Sequence, residues 1–276
     1  MPARERIELK SLDQVRTMRR AGLVVADALE VVRAALAPGV STAALDALAA
    51  EAIAAAGATP SFLGYEGYPA TICVSVNDEV VHGIPGERLL RVGDLVSVDC
   101  GAIVDGWHGD SAFSAVVGAA DPADEALVAA TEAAMWTGIA SLAGGDRVAV
   151  VGEAVEDLVA AGPVRYGLVQ DYVGHGIGTA MHQPPDVPNY RLRPRGPRLV
   201  PGMVLAVEPM LARGTGDTHE LADGWTVVTD DGSRAAHWEH TVAVLESGLW
   251  VLTARDGGAA ALAALGAPVA AEAFEV

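Results

Sequence analysis

At 276 residues and 51% hydrophobic, the chain is long enough for one sizeable core, and a net charge of −18 without a basic stripe argues against a nucleic-acid surface. No run reaches the roughly 18–20 uninterrupted apolar residues of a membrane span, and the start, Met1 to Arg6, has neither an apolar stretch nor a small-residue cleavage site, so it does not read as a signal peptide. Two cysteines, Cys73 and Cys100, are too few for a disulfide framework, and the expectation is a reduced, cytoplasmic protein.

In chain order, Ser11 and Gln14 have the spacing of a capping box opening an amphipathic helix to about Leu36, which Pro38-Gly39 stops. Ser41 or Thr42 caps a second helix ending near Gly57. Thr71–Val76 and Leu95–Val104 read as strands, Asp105-Gly106 as a two-residue hairpin turn, and the returning strand starts at Trp107 and runs to about Val117. Asp121 then caps a helix with Pro122 in its first turn, running to about Leu142, and Gly144-Gly145 separates it from another helix over about Arg147–Ala161. Further strands are expected at Met203–Val207 and Trp238–Leu245, with a surface loop between Pro184 and Pro201. Beyond Arg255 the chain is a tail rich in alanine and glycine.

The order helix, helix, strands occurs twice, and short matches suggest a duplication of about 11–118 and 121–252. His82-Gly83-Ile84 answers His175-Gly176-Ile177. The runs Gly93–Asp99 and Gly202–Glu208 each end in an acid, and His108-Gly109-Asp110 answers His237-Trp238-Glu239. The acids keep their place while their neighbours change.

Those acids carry the chemistry. With Asp105 and Gly106 as the turn, Asp110 faces Gly101 and Asp99 lies on the same face, diagonal to it and close enough for both side chains to reach one ion. Two carboxylates on otherwise apolar strands repel and need something positive between them; the competing reading is a pair of solvated surface aspartates. Glu208 and Glu239 repeat the predicament, although a lone buried glutamate is more often salt-bridged. Four carboxylates match two divalent cations, as in sites where paired ions activate water. The repeated His-Gly-Ile adds His82 and His175 as candidate imidazoles, and a mainly oxygen set with one imidazole suits manganese, iron, cobalt or zinc.

The series Asp99, Asp110, His175, Glu208, Glu239 resembles the metal ligands of type I methionine aminopeptidases of bacteria. The resemblance also rests on Leu63–Pro69, Asn77–Pro85, Asp105–Asp110, Gly174–Gly178, Glu208-Pro209-Met210 and Glu239-His240-Thr241, and runs from the first helix to about Leu252. It implies an α+β, pita-bread (creatinase/aminopeptidase-like) fold: a single catalytic domain over residues 1–276, with two pseudo-twofold-related halves about a central antiparallel sheet. It also implies two metal ions, Asp99 on one, His175 and Glu208 on the other, and Asp110 and Glu239 bridging. Glu208 would double as proton shuttle, His182 would bond the substrate carbonyl oxygen, and His82 would contact the scissile nitrogen. Tyr65, Tyr68, Cys73 and Trp225 would wall the methionine pocket, for which ordinary core packing is the competing reading. Phe62 stands where many relatives have cysteine, Met181 where phenylalanine is usual, and Gln183 where an acid is frequent.

The implied partners are N-termini of nascent polypeptides and, transiently, the ribosome; a monomer is expected, with no membrane and no nucleic acid. A proline-directed peptidase of the same fold would share the ligands, but only about ten residues precede the first helix, where such enzymes have a large domain. A non-catalytic binding protein of this fold would have lost ligands.

Overall fold

The computed structural model describes residues 6–274; residues 1–5, on which most of the reading of the start rests, and 275–276 lie outside them. The elements that position the site are, in chain order, α1 (Leu12–Ala35), α2 (Thr42–Ala55), β1 (Ile72–Val76), β2 (Leu95–Val104), β3 (Trp107–Val116), α3 (Pro122–Ser141), α4 (Val150–Ala161), β4 (Gly174–Gly176), β5 (Gln183–Val187), β6 (Val204–Val207), β7 (Glu239–Leu245) and β8 (Gly248–Val251). Local chemistry sets their ends. Ser11 and Gln14 form the reciprocal capping box of α1, Ser41 accepts from Ala44 N–H at α2, and Asp121 caps α3 ahead of Pro122. α4 starts later than the sequence pattern suggests, because Arg147 bridges to Arg198 and the Val148 and Ala149 N–H groups donate to Pro197 and Arg195 carbonyls.

Nine strands make one sheet in the order Thr59–Pro60, β2, β3, β7, β6, β4, β5, with β1 also on β2 and β8 also on β7. Every pairing in it is antiparallel. Asp105 and Gly106, at φ 49° and 79°, are the left-handed pair of a tight hairpin turn, and they fix the β2–β3 register. Side chains then alternate between faces. Val96, Val98, Cys100 and Ala102 of β2 and Phe113 of β3 enter the core with Val25 and Val32 of α1, Leu45 and Ile53 of α2, Leu127 and Ile139 of α3 and Val151 of α4. Each fully buried leucine, isoleucine or valine there contributes about 1.5–3 kcal/mol. The opposite face carries Ser97 and Asp99 of β2 and Asp110, Ala112 and Ser114 of β3, and there Ser97 Oγ meets Ser114 Oγ at 2.8 Å.

The expected surface loop between Pro184 and Pro201 is a loop only in part. Gln183–Val187 is β5, and Val187 and Asn189 are wholly buried. Pro184 and Pro185 disguise the strand, since proline cannot donate to a ladder; β5 lies at the sheet edge, where proline is tolerated. The tail packs back on the sheet: Ala259–Ala264 is helical, and Ala270, buried beside Trp250, donates its N–H to Leu249.

Helix α1 approaches the sheet at two facing glycines. A Cβ at Gly109 would come within 2.7 Å of the Gly22 nitrogen, a backbone atom that cannot swing aside. Gly109→Ala is expected to lose about 1–3 kcal/mol of stability, read as an earlier urea midpoint with an unchanged slope. An unmoved midpoint would mean that α1 can lift from the sheet freely.

Candidate metal centre

Asp99, Ala112 and Glu239 occupy one row across β2, β3 and β7, and Asp110 lies two residues before Ala112 on the same face. Ala112 puts only a methyl between two carboxylates, so the middle of the row stays open. Glu208 follows β6 directly, where Val207 pairs with His240. His175 is the middle residue of β4, at a register irregularity that re-aims its side chain. Ligand atoms of Asp110, His175 and Glu239 all lie within 4.8 Å of one another. His175 Nε2 is 3.4 Å from Glu208 Oε1, and Asp99 lies diagonal to Asp110 on the same face of the hairpin. The five residues singled out from sequence therefore converge on one place.

The charge there is unbalanced. Asp99 Oδ1, Asp110 Oδ1 and Glu239 Oε1 are buried with no hydrogen-bond partner among the described residues. Among the described residues no lysine or arginine pairs with these acids; Glu208 meets only His175 and His237. Burial pushes the Asp99 carboxyl up to about 7, and burial with mutual repulsion raises Asp110, Glu208 and Glu239 well above the usual carboxylate range. His175 Nδ1 lies 3.0 Å from the Gly176 carbonyl oxygen, which only accepts, so the proton sits on Nδ1 and the Nε2 lone pair faces the acids. Burial keeps this imidazole neutral, holding its pKa down to about 3. Orphaned carboxylate oxygens and one free imidazole lone pair are the donor set of a divalent cation. Cationic charge is what the described residues do not supply there.

Beside the acids, Phe62, Tyr68, Ala70, Cys73 and Met181 form a buried apolar cluster against which Tyr65, Ile84 and Trp225 pack. Cys73 reaches it because it pairs with Asp99 across β1 and β2 and so shares that face. Tyr68 stacks edge-on against Trp225 at 5.0 Å, and its hydroxyl donates to the Ile72 and Gly83 carbonyls. Phe62 approaches over Gly101, where a Cβ would fall 2.9 Å from its ring. Exposed His182 sits at the mouth, 4.2 Å from His175 between ring centroids, with Nδ1 2.9 Å from the Tyr65 hydroxyl. His82 lies farther round, against Tyr172 and Trp225 at 5.5 and 6.4 Å. Its φ of 60° is strained for a residue other than glycine, a feature that clusters at binding sites.

Sequence reasoning assigned no part to His237 or His108. His237 Nε2 is buried, has no hydrogen-bond partner among the described residues and lies 3.8 Å from Glu208 Oε2. His108 Nδ1 is 2.9 Å from Ser61 Oγ, and its backbone N–H donates to Gly178. Both stand in the duplicated His-x-acid triplets, so their position two residues before Glu239 and Asp110 was the available signal.

Comparison with known proteins gives the family and the fold. The pattern of metallopeptidase family M24 matches residues 16–246. "Methionine aminopeptidase 1" of Mycobacterium tuberculosis is 53% identical over 249 residues, covering 88% of this chain and 94% of that protein. The protein of the same name from Bacillus subtilis is 45% identical, covering 86% and 94%. Among solved structures, a methionine aminopeptidase from Thermotoga maritima superposes with a TM-score of 0.87 at 39% identity, covering 90% of this chain and 99% of that one. A prolidase from Pyrococcus furiosus gives 0.71 at 18% identity, covering 89% of this chain and 65% of that one, a likeness of fold alone. The shared architecture is the α+β pita-bread fold expected from sequence.

Asp110→Asn removes one of the repelling charges. At pH 8 the metal-free variant is expected to melt above the metal-free parent, by about 1–3 kcal/mol of stability, and to gain less on adding Mn(II). Calorimetric melting of both proteins with and without metal reads this directly. A metal-free variant melting below its parent would mean that the acids are compensated within the chain.

Proposed function

The chain belongs to metallopeptidase family M24, and from that premise we propose that it is a methionyl aminopeptidase, a hydrolase that removes the initiator methionine from nascent polypeptides when the second residue is small. The carrying observation is a group of four carboxylates and one imidazole, buried or half-buried with no cationic side chain among the described residues, beside a pocket walled by aromatic rings and a thioether. Similarity to methionine aminopeptidases over most of the chain's length supports the same reading.

Membership of this family implies divalent metal. We assign two ions, of manganese, iron, cobalt or zinc, because four carboxylates balance two divalent charges; Asp99, Asp110, His175, Glu208 and Glu239 would hold them. Bound there, the ions supply Lewis acidity and bring water within reach of ionisation near neutral pH. The chain's own side chains do the rest. The cluster of Phe62, Tyr65, Tyr68, Cys73, Met181 and Trp225 takes the methionine side chain, whose flexible thioether suits aromatic walls. Glu208 receives a proton from the attacking water and passes it to the leaving amine. Where the Tyr65 hydroxyl donates to His182 Nδ1, the His182 proton is on Nε2, free to donate to the carbonyl oxygen as negative charge grows on it. His82, farther round the site, contacts the nitrogen of the scissile bond.

No helix among the described residues is long and apolar enough to cross a membrane. We place the enzyme in the cytoplasm as a monomer of one catalytic domain, without a nucleic-acid ligand, meeting the ribosome transiently as substrates emerge. A proline-directed specificity would use the same acids, but the prolidase likeness carries the fold and nothing further.

Metal-stripped protein is expected to release methionine from a Met-Ala-Ser peptide only after a divalent metal such as Mn(II) is restored, and to leave Met-Lys-Ser intact. Absence of release under every divalent metal would refute the aminopeptidase reading. His182→Ala is expected to lower kcat by about 10²–10³-fold while binding as much metal as the parent. Equal kcat in the two proteins would remove His182 from the chemistry.

A further inference from the structure

The turn joining β4 to β5 carries Met181, buried in the apolar cluster, and His182, beside the Tyr65 hydroxyl, and the His108 N–H donates to its Gly178 carbonyl. Thr179, Ala180 and His182 are exposed, and glycine precedes them at position 178. A further grip on the turn comes from the far end of the sequence. Glu8, half-buried, accepts from Thr179 N–H at 3.1 Å, Thr179 Oγ1 at 2.9 Å and Gln183 Nε2 at 2.8 Å. Lys10, the only lysine in the chain, is buried, its side chain 2% exposed. Its ammonium donates to Gln183 Oε1 at 3.2 Å and to the Glu8 carbonyl at 2.9 Å, and lies 3.5 Å from the Glu8 carboxylate. The Lys10 backbone is itself tied down, its N–H donating to the Gly202 carbonyl at 2.8 Å. Gly178 leaves room for the arrangement, since a Cβ there would collide with the Glu8 carboxylate and the Lys10 stem.

We propose that Glu8 and Lys10 are positioning residues of the peptidase reaction. They clamp Thr179 and Gln183, the residues on either side of the short turn, and so fix Met181 in the wall of the substrate pocket and His182 at its mouth. The proposal rests on the aminopeptidase reading and on the part given there to His182. Four features separate the clamp from ordinary surface pairing. The lysine is buried, the carboxylate accepts from three donors of one turn, the contacts join segments about 170 residues apart, and neither residue touches the metal-binding acids. A small displacement of a group that acts on the reacting atoms is enough to slow a reaction by orders of magnitude.

The test compares the parent with Glu8→Ala, Glu8→Gln and Lys10→Met, each also combined with His182→Ala, using Mn(II)-loaded protein and Met-Ala-Ser peptide. Glu8→Ala and Lys10→Met are expected to lower kcat/KM by about tenfold, with parental metal content. Glu8→Gln keeps an acceptor for Thr179 and recovers part of the loss. In the His182→Ala background most of the effect of Glu8→Ala disappears, because the group it positions is gone; a purely structural anchor would act equally in both backgrounds. Parental activity in Glu8→Ala, or an undiminished loss beside His182→Ala, overturns the clamp. The parent and the His182→Ala single variant, measured alongside, test the aminopeptidase reading by themselves.

Discussion

Four carboxylates, two buried and two half-buried, gathered at one face of a sheet with no cationic side chain among the described residues to meet them, constrain the rest of this molecule. Strand alternation sends Val96, Val98, Cys100 and Ala102 into the helical core and leaves Asp99 on the other face. All four long helices contribute to that core, so the acidic face is left to loops and short strands. Covering it with apolar side chains would strand unpaired charge, at a cost of several kcal/mol per ion. The open face, the small residue Ala112 in the middle of the row and the pocket beside it all follow from that one imbalance.

Burial acts in opposite directions on the two kinds of donor. It drives the carboxyls toward their protonated form and the imidazole of His175 toward its neutral form. Neutral imidazole is the form that ligates, whereas the carboxyls must give up their protons to do so, which couples metal loading to proton release and to folding stability. The hydrogen bond from His175 Nδ1 to the Gly176 carbonyl settles which nitrogen faces the acids, and it belongs to the glycine-rich strand itself.

The half of the site that lies on the hairpin was legible because its information is local. Asp105-Gly106 states the turn, the turn states the register, and the register puts Asp99 and Asp110 on one face. Helix caps at Ser11, Ser41 and Asp121 were legible for the same reason. The pocket was not. Trp225 stands next to a strand of only three residues, Val227–Thr229, which pairs with Glu79–Val81 from the other half of the chain, and so short a strand shows no periodicity. Resemblance alone placed Tyr65, Tyr68 and Trp225 together. The strand Gln183–Val187 was hidden by its prolines. His237 and the Glu8–Lys10 clamp act across the fold, where sequence spacing says nothing about contact; a solitary lysine was the one visible oddity.

The two halves answer each other in sequence, yet they contribute unequally. The first gives two aspartates from the paired strands of a single hairpin. The second gives two glutamates from β7 and the end of β6, together with a histidine from β4. Its counterpart in the first half, His82, is left out of the close donor group formed among the described residues by Asp110, His175 and Glu239. Its backbone is left-handed, and its ring packs against Tyr172 and Trp225 instead. A symmetric pair of imidazoles would enclose the acids from both sides. With one withdrawn toward the pocket wall and the other turned inward, the centre keeps an accessible side, and that side adjoins the pocket. On the proposed function, divergence between the halves would give a peptide end its direction of approach, with its first side chain toward the aromatic cluster and its first carbonyl toward His182.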